Sequence, residues 1–441
     1  MTQSKQVRRP AKPFASVEQA RQLRNKLMDF RPPKDNALAK FIARFVVPYR
    51  LHTRFGVIKV SVSGLSVLQQ LKGQRCILPF NHPSRKDPEV AFFVGLLLGE
   101  YFNYIAAREV FDEHNGWMGR IMQWLGVYSV VRGTADRESF KTTQRLLVEN
   151  KQKLVIYPEG EINTRNDDPL DSQPGMILFA MWALEQLEKS DKLAPIYVPR
   201  IATKFRYVGD IQGSLEDSMV ELEKHLNLSA GNHNLYGRLR NVSLKTLQLL
   251  QKHYSVTPAP GAGVNEQVAD LRNQILAQVA RILDVELPDV PLLDKLRVVR
   301  NAIDDRIFKS EDNMCGYELK LDRRQAEAMS CVYEMMRTVQ LFNAIRDDYV
   351  SETMTQERFA EVVDMLELEH FGAATVKGKS IAFVHIGEPI NLLDWYPAYK
   401  NKKTKKETLT KLAQEVTQGI RDSLQEAHDA SKYIPHRKIS N

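Results

Sequence analysis

Strand-like apolar runs alternate with helical patterns between residues 57 and 201, and this alternation leaves few folds open to the chain. The predicted strands are residues 57–63, 75–80, 101–108, 127–132, 153–157 and 194–201. The predicted helices between them are residues 65–71, 88–99, 116–125, 138–150 and 175–187. The order predicts an α/β fold with helices on the faces of a sheet and a functional site beyond the strand ends.

The pattern becomes helical after about residue 209. Helices are predicted at residues 214–228, 242–253, 265–283, 292–308, 319–349 and 356–369. A strand pattern returns at residues 379–386 and is followed by a predicted turn, Gly387-Glu388-Pro389-Ile390, and by a final amphipathic helix at residues 409–427. The helical block therefore lies between two strand-containing parts of the chain.

The N-terminal region is strongly basic. Residues 1–54 hold 13 Lys and Arg but 3 acidic residues, whereas the whole chain has a net charge of +8. A basic arm on a nearly neutral body predicts contact with an anionic surface, either membrane lipid or nucleic acid. The arm lacks the interleaved aromatic residues of a base-stacking surface, which disfavours nucleic acid.

Two helices are predicted in this region, at residues 17–30 and 36–48. The second is amphipathic, with these apolar residues at helical spacing: Leu38, Phe41, Ile42, Phe45 and Val46. This apolar stripe either lies on a membrane surface or covers the core of the protein itself, and the sequence leaves both open.

Composition disfavours several classes of protein. The longest apolar run, residues 90–98, is far shorter than the roughly 20 residues of a membrane span, and no secretory signal is visible. The cysteines, Cys76, Cys315 and Cys331, are too widely spaced for a disulfide framework or a metal site. We therefore expect a protein of the cytosol.

The first chemical motif is Asn81-His82-Pro83-Ser84-Arg85-Lys86-Asp87, directly after a predicted strand. Pro83 and Pro88 favour extended backbone at His82 and Asp87 and predict a tight turn between them. A histidine beside a carboxylate is suited to proton transfer. Asp87 alone would be interpreted as the N-cap of the next helix, and one carboxylate has enough oxygens for both roles.

Two further motifs end predicted strands. In Tyr157-Pro158-Glu159-Gly160, the carboxylate of Glu159 is free to orient a hydroxyl or a basic side chain, and the glycine allows close backbone approach. The other motif is the run at residues 126–133, which ends in Arg132 and Gly133. An arginine there can bind a phosphate with its forked guanidinium group.

These motifs, together with Ala194-Pro195-Ile196-Tyr197-Val198-Pro199, follow one another in the order found in the glycerolipid acyltransferases, which acylate glycerol-3-phosphate and lysophosphatidic acid. The resemblance covers about residues 41–208 and resumes at 380–390. It implies a mixed sheet flanked by helices, with His82 as general base and Asp87 as its partner, and no metal or cofactor. It also implies a set of substrate-binding residues, which are Asn81, Ser84, Arg132, Glu159 and Gly160.

The third motif departs from the family pattern. Glu161-Ile162-Asn163 stands where the family usually has Thr-Arg-Ser, so the next cation is Arg165, which we include among the substrate-binding residues. The loop also contains acidic residues that would repel a phosphate unless they point away. The acceptor is therefore either a lysophosphatidic acid-like molecule or a lipid with another head group.

The leading hypothesis is a peripheral enzyme on the inner face of the membrane that uses acyl-CoA or acyl-carrier protein and a lysophospholipid-like acceptor. The alternatives are an acyltransferase for another alcohol and a catalytically silent membrane-binding scaffold. The predicted domains are a basic arm (1–36), the acyltransferase domain (37–208 and 377–429), a helical insertion (209–376) and a tail (430–441).

Overall fold

The structure is a computed structural model. It describes residues 30–108, 110–111, 116–131, 136–231, 233–307, 314–342, 351, 353–432 and 437–439. The predicted helix at residues 17–30 lies outside these ranges except for its last residue, and so does Arg132.

Helices and strands alternate through the first half of the chain. They are α1 (Ala37–Thr53), β1 (Val57–Ser63), α2 (Leu65–Gln70), β2 (Arg75–Pro79), α3 (Asp87–Leu98), β3 (Asn103–Ala107), α4 (Trp117–Trp124), β4 (Val127–Val130), α5 (Arg137–Glu149), β5 (Leu154–Ile156), α6 (Gly175–Lys189) and β6 (Ile196–Tyr207). The predicted alternation is confirmed.

The second half is largely helical. Its elements are α7 (Gln212–Leu226), α8 (Leu235–His253), α9 (Val264–Leu283), α10 (Leu292–Ile307), α11 (Gly316–Leu341), α12 (Gln356–Phe371), β7 (Ser380–Asn391), a 3₁₀ turn (Leu392–Trp395), α13 (Tyr396–Lys400) and α14 (Lys405–Ala430). Apolar side chains of α7, α8 and α12 form one buried cluster, and those of α9, α10 and α11 form most of another.

The sheet has seven strands in the order β1-β7-β6-β2-β5-β3-β4. Strands β6 and β7 are antiparallel, while the other neighbouring pairs are parallel. The predicted mixed α/β sheet with many additional helices is therefore confirmed. In the sheet, β7 lies between β1 and β6. The chain therefore leaves the sheet after β6, forms the helices α7 to α12 and returns to the same sheet at β7. The predicted domain bounds themselves stay a prediction.

Strand β7 differs from its prediction at its end. The predicted turn Gly387-Glu388-Pro389-Ile390 is wrong, because these residues continue the strand as far as Asn391. The register with β6 shifts between Pro199 and Arg200, and Pro389 stands opposite Pro199. A bulge of this kind accommodates prolines that lack the N–H needed for a regular ladder.

Helix α1 exposes the predicted apolar stripe. Its buried side consists of Lys40, Ala43, Val47 and Leu51. The stripe residues are 44–67% exposed: Leu38, Phe41, Ile42, Phe45 and Val46. The interpretation that the stripe covers the core is wrong, because the residues on the opposite side of the helix are the buried ones.

Among the described residues, no helix combines the length and the apolar character needed to cross a membrane. All three cysteines are free thiols; Cys76 is buried, and Cys315 and Cys331 are exposed.

Candidate active site

His82 lies just beyond the carboxyl end of β2, in the turn that leads to α3. Its Nδ1 atom is 2.9 Å from Oδ2 of Asp87. The imidazole stacks on the Tyr157 ring, with ring centroids 4.1 Å apart. Contacts with Asp87 and Tyr157 therefore fix the ring. The side chain keeps 15% of its surface exposed, and its Nε2 atom makes no hydrogen bond with a described residue.

Asp87 is fully buried and is the first residue of α3. Its Oδ2 atom also accepts the Ser84 backbone N–H at 2.8 Å, so one oxygen fixes both the turn and the imidazole. The predicted N-cap role is wrong, since Lys86 occupies that position and Asp87 accepts no N–H from the first turn. Burial raises the pKa of the Asp87 carboxyl, and the hydrogen bonds with His82 and Ser84 oppose this increase.

Glu159 joins the two chemical motifs through its buried carboxylate. Its Oε1 atom accepts the His82 backbone N–H at 2.7 Å, and its Oε2 atom accepts N–H groups from Asn163 and Leu170 at 2.5 and 3.0 Å. Burial raises the pKa of Glu159 to about 7. These contacts hold the His82 turn in place, and contact with a substrate hydroxyl stays a prediction.

Asn81 and Asn166 occupy a gap between β2 and β6, whose pairing is limited to Arg75–Ile196 and Cys76–Tyr197. The Asn81 amide exchanges two hydrogen bonds with the Thr203 backbone, at 2.7 and 3.0 Å. Asn166 does the same with Phe205, at 2.8 Å for both bonds. The two amides replace a neighbouring strand, and the predicted substrate contact of Asn81 is not tested by this arrangement.

The three aspartates of the loop after Gly160 are each paired with a cation. Asp167 pairs with Lys204 and with Arg358, Asp168 with Arg165 and Asp171 with Arg421. Their charge is therefore compensated locally, which removes the repulsion that the sequence alone suggested. Arg165 is 8% exposed, and its Nε atom is buried without a hydrogen-bond partner.

Gly160 has a left-handed backbone, with φ of +77°. Its N–H donates to the Tyr157 carbonyl oxygen at 3.0 Å, so a contact with a reaction oxyanion would require this bond to break. A Cβ atom at this position would lie 2.7 Å from Nη2 of Arg297, a residue of α10. The absence of a side chain thus lets the helical insertion approach the motif.

His82 opens into a cavity of about 2020 Å³. Apolar side chains of α1 and α4 line part of it, including Ile42, Val46 and Trp117. Cationic side chains also line it: Arg50, Arg54, Arg85, Lys86, Arg165, Arg206, Arg297, Arg300 and Arg337. The space exceeds the roughly 300–1,000 Å³ of ordinary small-molecule sites, and its lining suits a ligand with an apolar chain and an anionic group.

The structure brings together His82, Ser84, Asp87, Gly160 and Arg165 at this cavity or its border. Asn81 and Glu159 lie behind them as buried supports. Arg132 lies outside the described residues, although Val130 and Val131, which precede it, line the cavity.

Sequence reasoning missed the role of Tyr157 as a stacking partner, of Asn163 and Asn166 as loop supports, and of Arg297. The asparagines lie in the loop that follows Glu159, but their amides alone do not indicate which backbone groups they bind. Arg297 could not, because it is far from the motifs along the chain and reaches them through tertiary packing.

Comparison with known families gives a match to part of the chain. The family model described as Acyltransferase covers residues 59–198, which is less than half of the 441-residue chain and includes β2, β5 and both motifs that they carry. This match supports an acyltransferase family of the type that acylates glycerol-3-phosphate and lysophosphatidic acid. A search of curated proteins found no match.

Proposed function

We propose that this chain transfers a fatty acyl group from acyl-CoA or acyl-carrier protein to the hydroxyl of a lysophosphatidic acid-like acceptor. The family match supports acyl transfer in general. The observation that carries the finer proposal is the His82–Asp87 contact of 2.9 Å, with the opposite edge of the imidazole directed to a cavity large enough for two substrates.

The proposed reaction is a direct transfer with His82 as general base. His82 Nε2 takes the hydroxyl proton as the acceptor oxygen attacks the thioester carbonyl, and Asp87 stabilises the imidazolium that forms. Collapse of the tetrahedral intermediate breaks the C–S bond, and the proton passes to the thiolate that leaves. The products are an ester and a free thiol, and no acyl-enzyme or metal is required.

The exposed stripe on α1 supports peripheral binding to a membrane. Ile42 and Val46 belong both to this stripe and to the cavity lining. A lipid-embedded stripe of this kind would place the cavity next to the bilayer, from which acyl chains could enter without crossing water. We propose the inner face of the membrane as the location of the enzyme.

One observation favours an alternative acceptor. Ile162 and Glu161 line the cavity where the family usually has a hydroxyl and a cation. A neutral alcohol or another lyso-lipid would fit this change. The scaffold alternative is disfavoured because the His82–Asp87 contact would have no use in it.

Purified full-length protein supplied with labelled acyl-CoA or acyl-carrier protein and a panel of acceptors tests the proposal. Lysophosphatidic acid should give saturable ester formation at the lowest KM. Saturation by a neutral acceptor alone would favour the alternative, and no product with any donor or acceptor would refute acyl transfer.

A further inference from the structure

The acyltransferase motifs leave the binding of an anionic group incompletely explained. The third motif lacks its usual cation, and the next one, Arg165, pairs with Asp168 through a 2.7 Å contact between Nη1 and Oδ2. Arg297 pairs with Asp294 at the same distance, so an ion pair of this kind does not by itself decide between the two arginines. A phosphate requires at least one guanidinium or ammonium group with donors directed to it.

Arg297 of α10 supplies such a group. Its Nη1 atom donates to Asp294 and to Gln173, at 2.7 and 3.3 Å. Its Nη2 atom lies against Gly160 and makes no hydrogen bond with a described residue, and its Nε atom is buried without a partner. Gln173 belongs to the acyltransferase loop, so the guanidinium is fixed between the insertion and the third motif with donors to spare.

Other cations reinforce this position. Arg300 is one helical turn from Arg297, and Arg337 lies on the neighbouring helix α11; both line the same cavity. Four acidic side chains of the insertion line the cavity as well: Glu334, Glu357, Glu361 and Asp364. Three of them are engaged elsewhere, since Glu357 contacts Arg206 at 3.3 Å, Glu361 accepts the Asn166 N–H at 3.1 Å and Asp364 lies 3.4 Å from Lys377. The insertion therefore adds both guanidinium groups and carboxylates to the cavity, and Arg297 is the guanidinium that lies against the third motif.

Gly160 leaves room for this arrangement. A side chain there would meet Arg297 Nη2 at 2.7 Å and would also strain the left-handed backbone. The glycine thus leaves room for a guanidinium from a distant helix beside the third motif.

We propose that Arg297 binds the phosphate group of a substrate, so that the helical insertion completes the acyltransferase site and selects for phosphorylated substrates. The inference rests on the proposed function. The phosphate belongs to the acceptor lipid or to the coenzyme A portion of the donor, and the same guanidinium chemistry serves either.

Steady-state kinetics of Arg297→Gln and Arg297→Lys test the proposal. Loss of one charged, forked contact should raise KM for the phosphorylated substrate by about 10- to 100-fold with kcat within about threefold, and Lys should recover part of the loss. Lys295→Ala is the matched control, because it removes a cation from the same helix outside the cavity lining, and its kinetics should equal those of the wild type.

Paired substrates identify the source of the phosphate. A KM increase for lysophosphatidic acid but not for monoacylglycerol assigns the acceptor phosphate, whereas an increase for acyl-CoA but not for acyl-pantetheine assigns the donor. Unchanged KM values, or equal losses with charged and uncharged substrates, would overturn the proposal and leave Arg297 a packing residue.

Calorimetric titration with glycerol-3-phosphate separates this inference from the proposed function. Wild-type protein and His82→Ala should bind the probe if the acceptor phosphate is the ligand. Arg297→Gln should then bind it at least about tenfold more weakly. Coenzyme A is the corresponding probe if the ligand is the phosphate of the donor. If the wild-type protein turns over substrate but does not bind the probe, the Arg297 site fails and the proposed function stands. If it binds the probe but gives no turnover, the proposed function fails and the phosphate site stands. Equal binding of both probes by wild type and Arg297→Gln would refute the Arg297 site.

Discussion

Replacement of Asp87 by Asn should remove activity while preserving the fold. In Asp87→Asn, the amide oxygen can take the place of Oδ2 and accept both the Ser84 N–H and the His82 Nδ1–H. The amide nitrogen then takes the place of Oδ1, which has no hydrogen-bond partner. The variant therefore loses the negative charge and keeps the geometry of the turn.

The magnitude follows from the charge that forms on His82 during the reaction. An imidazolium and a carboxylate with charge centres about 4 Å apart attract each other by about 4 kcal/mol at an effective dielectric constant of about 20. Removal of this attraction corresponds to a loss of about 10³-fold in kcat. Stability should not fall in parallel, because burial raises the pKa of Asp87 and so disfavours its charged form in the folded protein.

The assay is the initial rate of acyl transfer at saturating substrates, with urea unfolding as the measure of stability. Asp171→Asn is the control, since it makes the same chemical change at a side chain that is 83% exposed. A kcat of Asp87→Asn within about fivefold of wild type would refute the charge-stabilisation argument. A large loss of folding stability would refute the argument on burial.

Three other results are expected. Asn81→Ala should lower the free energy of unfolding by about 2–5 kcal/mol in urea titrations, because it leaves two buried Thr203 backbone groups unpaired; a loss under about 1 kcal/mol would contradict this. The pKa of Glu159, about 7 in the folded protein against 4.5 for the free group, means that its stabilising contribution is complete below about pH 4.5 and disappears as pH rises through about 7. Glu159→Gln should therefore flatten the pH dependence of stability by up to about 1.4 kcal/mol per pH unit over this interval, and an unchanged slope would argue against the shift. The double variant Phe41→Ser/Phe45→Ser should bind anionic vesicles at least about tenfold more weakly in flotation assays with unchanged unfolding, because both rings are exposed; equal flotation would exclude the stripe as the membrane contact.

Much of the fold followed from local patterns. The strand Val57–Ser63 is predicted to the residue, because its apolar residues are bounded by glycines that end regular structure. The error at Gly387 to Ile390 has the opposite origin: Gly and Pro signal a turn locally, but pairing with β6 keeps them in a strand through a bulge.

Local sequence likewise predicts some of the site's contacts and not others. His82 and Asp87 are five residues apart, and prolines set the turn between them, so their contact could be predicted from the motif. Arg297 and Tyr157 meet the motif through tertiary packing, and nothing in their local sequence indicates this. The exposed stripe of α1 shows a further limit, because helical spacing identifies an apolar face without indicating what covers it.

The most direct test of the account is the rate of acyl transfer by His82→Ala compared with wild type, at saturating donor and acceptor and with the fold verified by circular dichroism. General-base catalysis predicts a loss of about 10²- to 10⁴-fold in kcat with KM values close to those of wild type. A variant that retains a near-normal kcat would contradict the proposed role of His82 and, with it, the proposed mechanism.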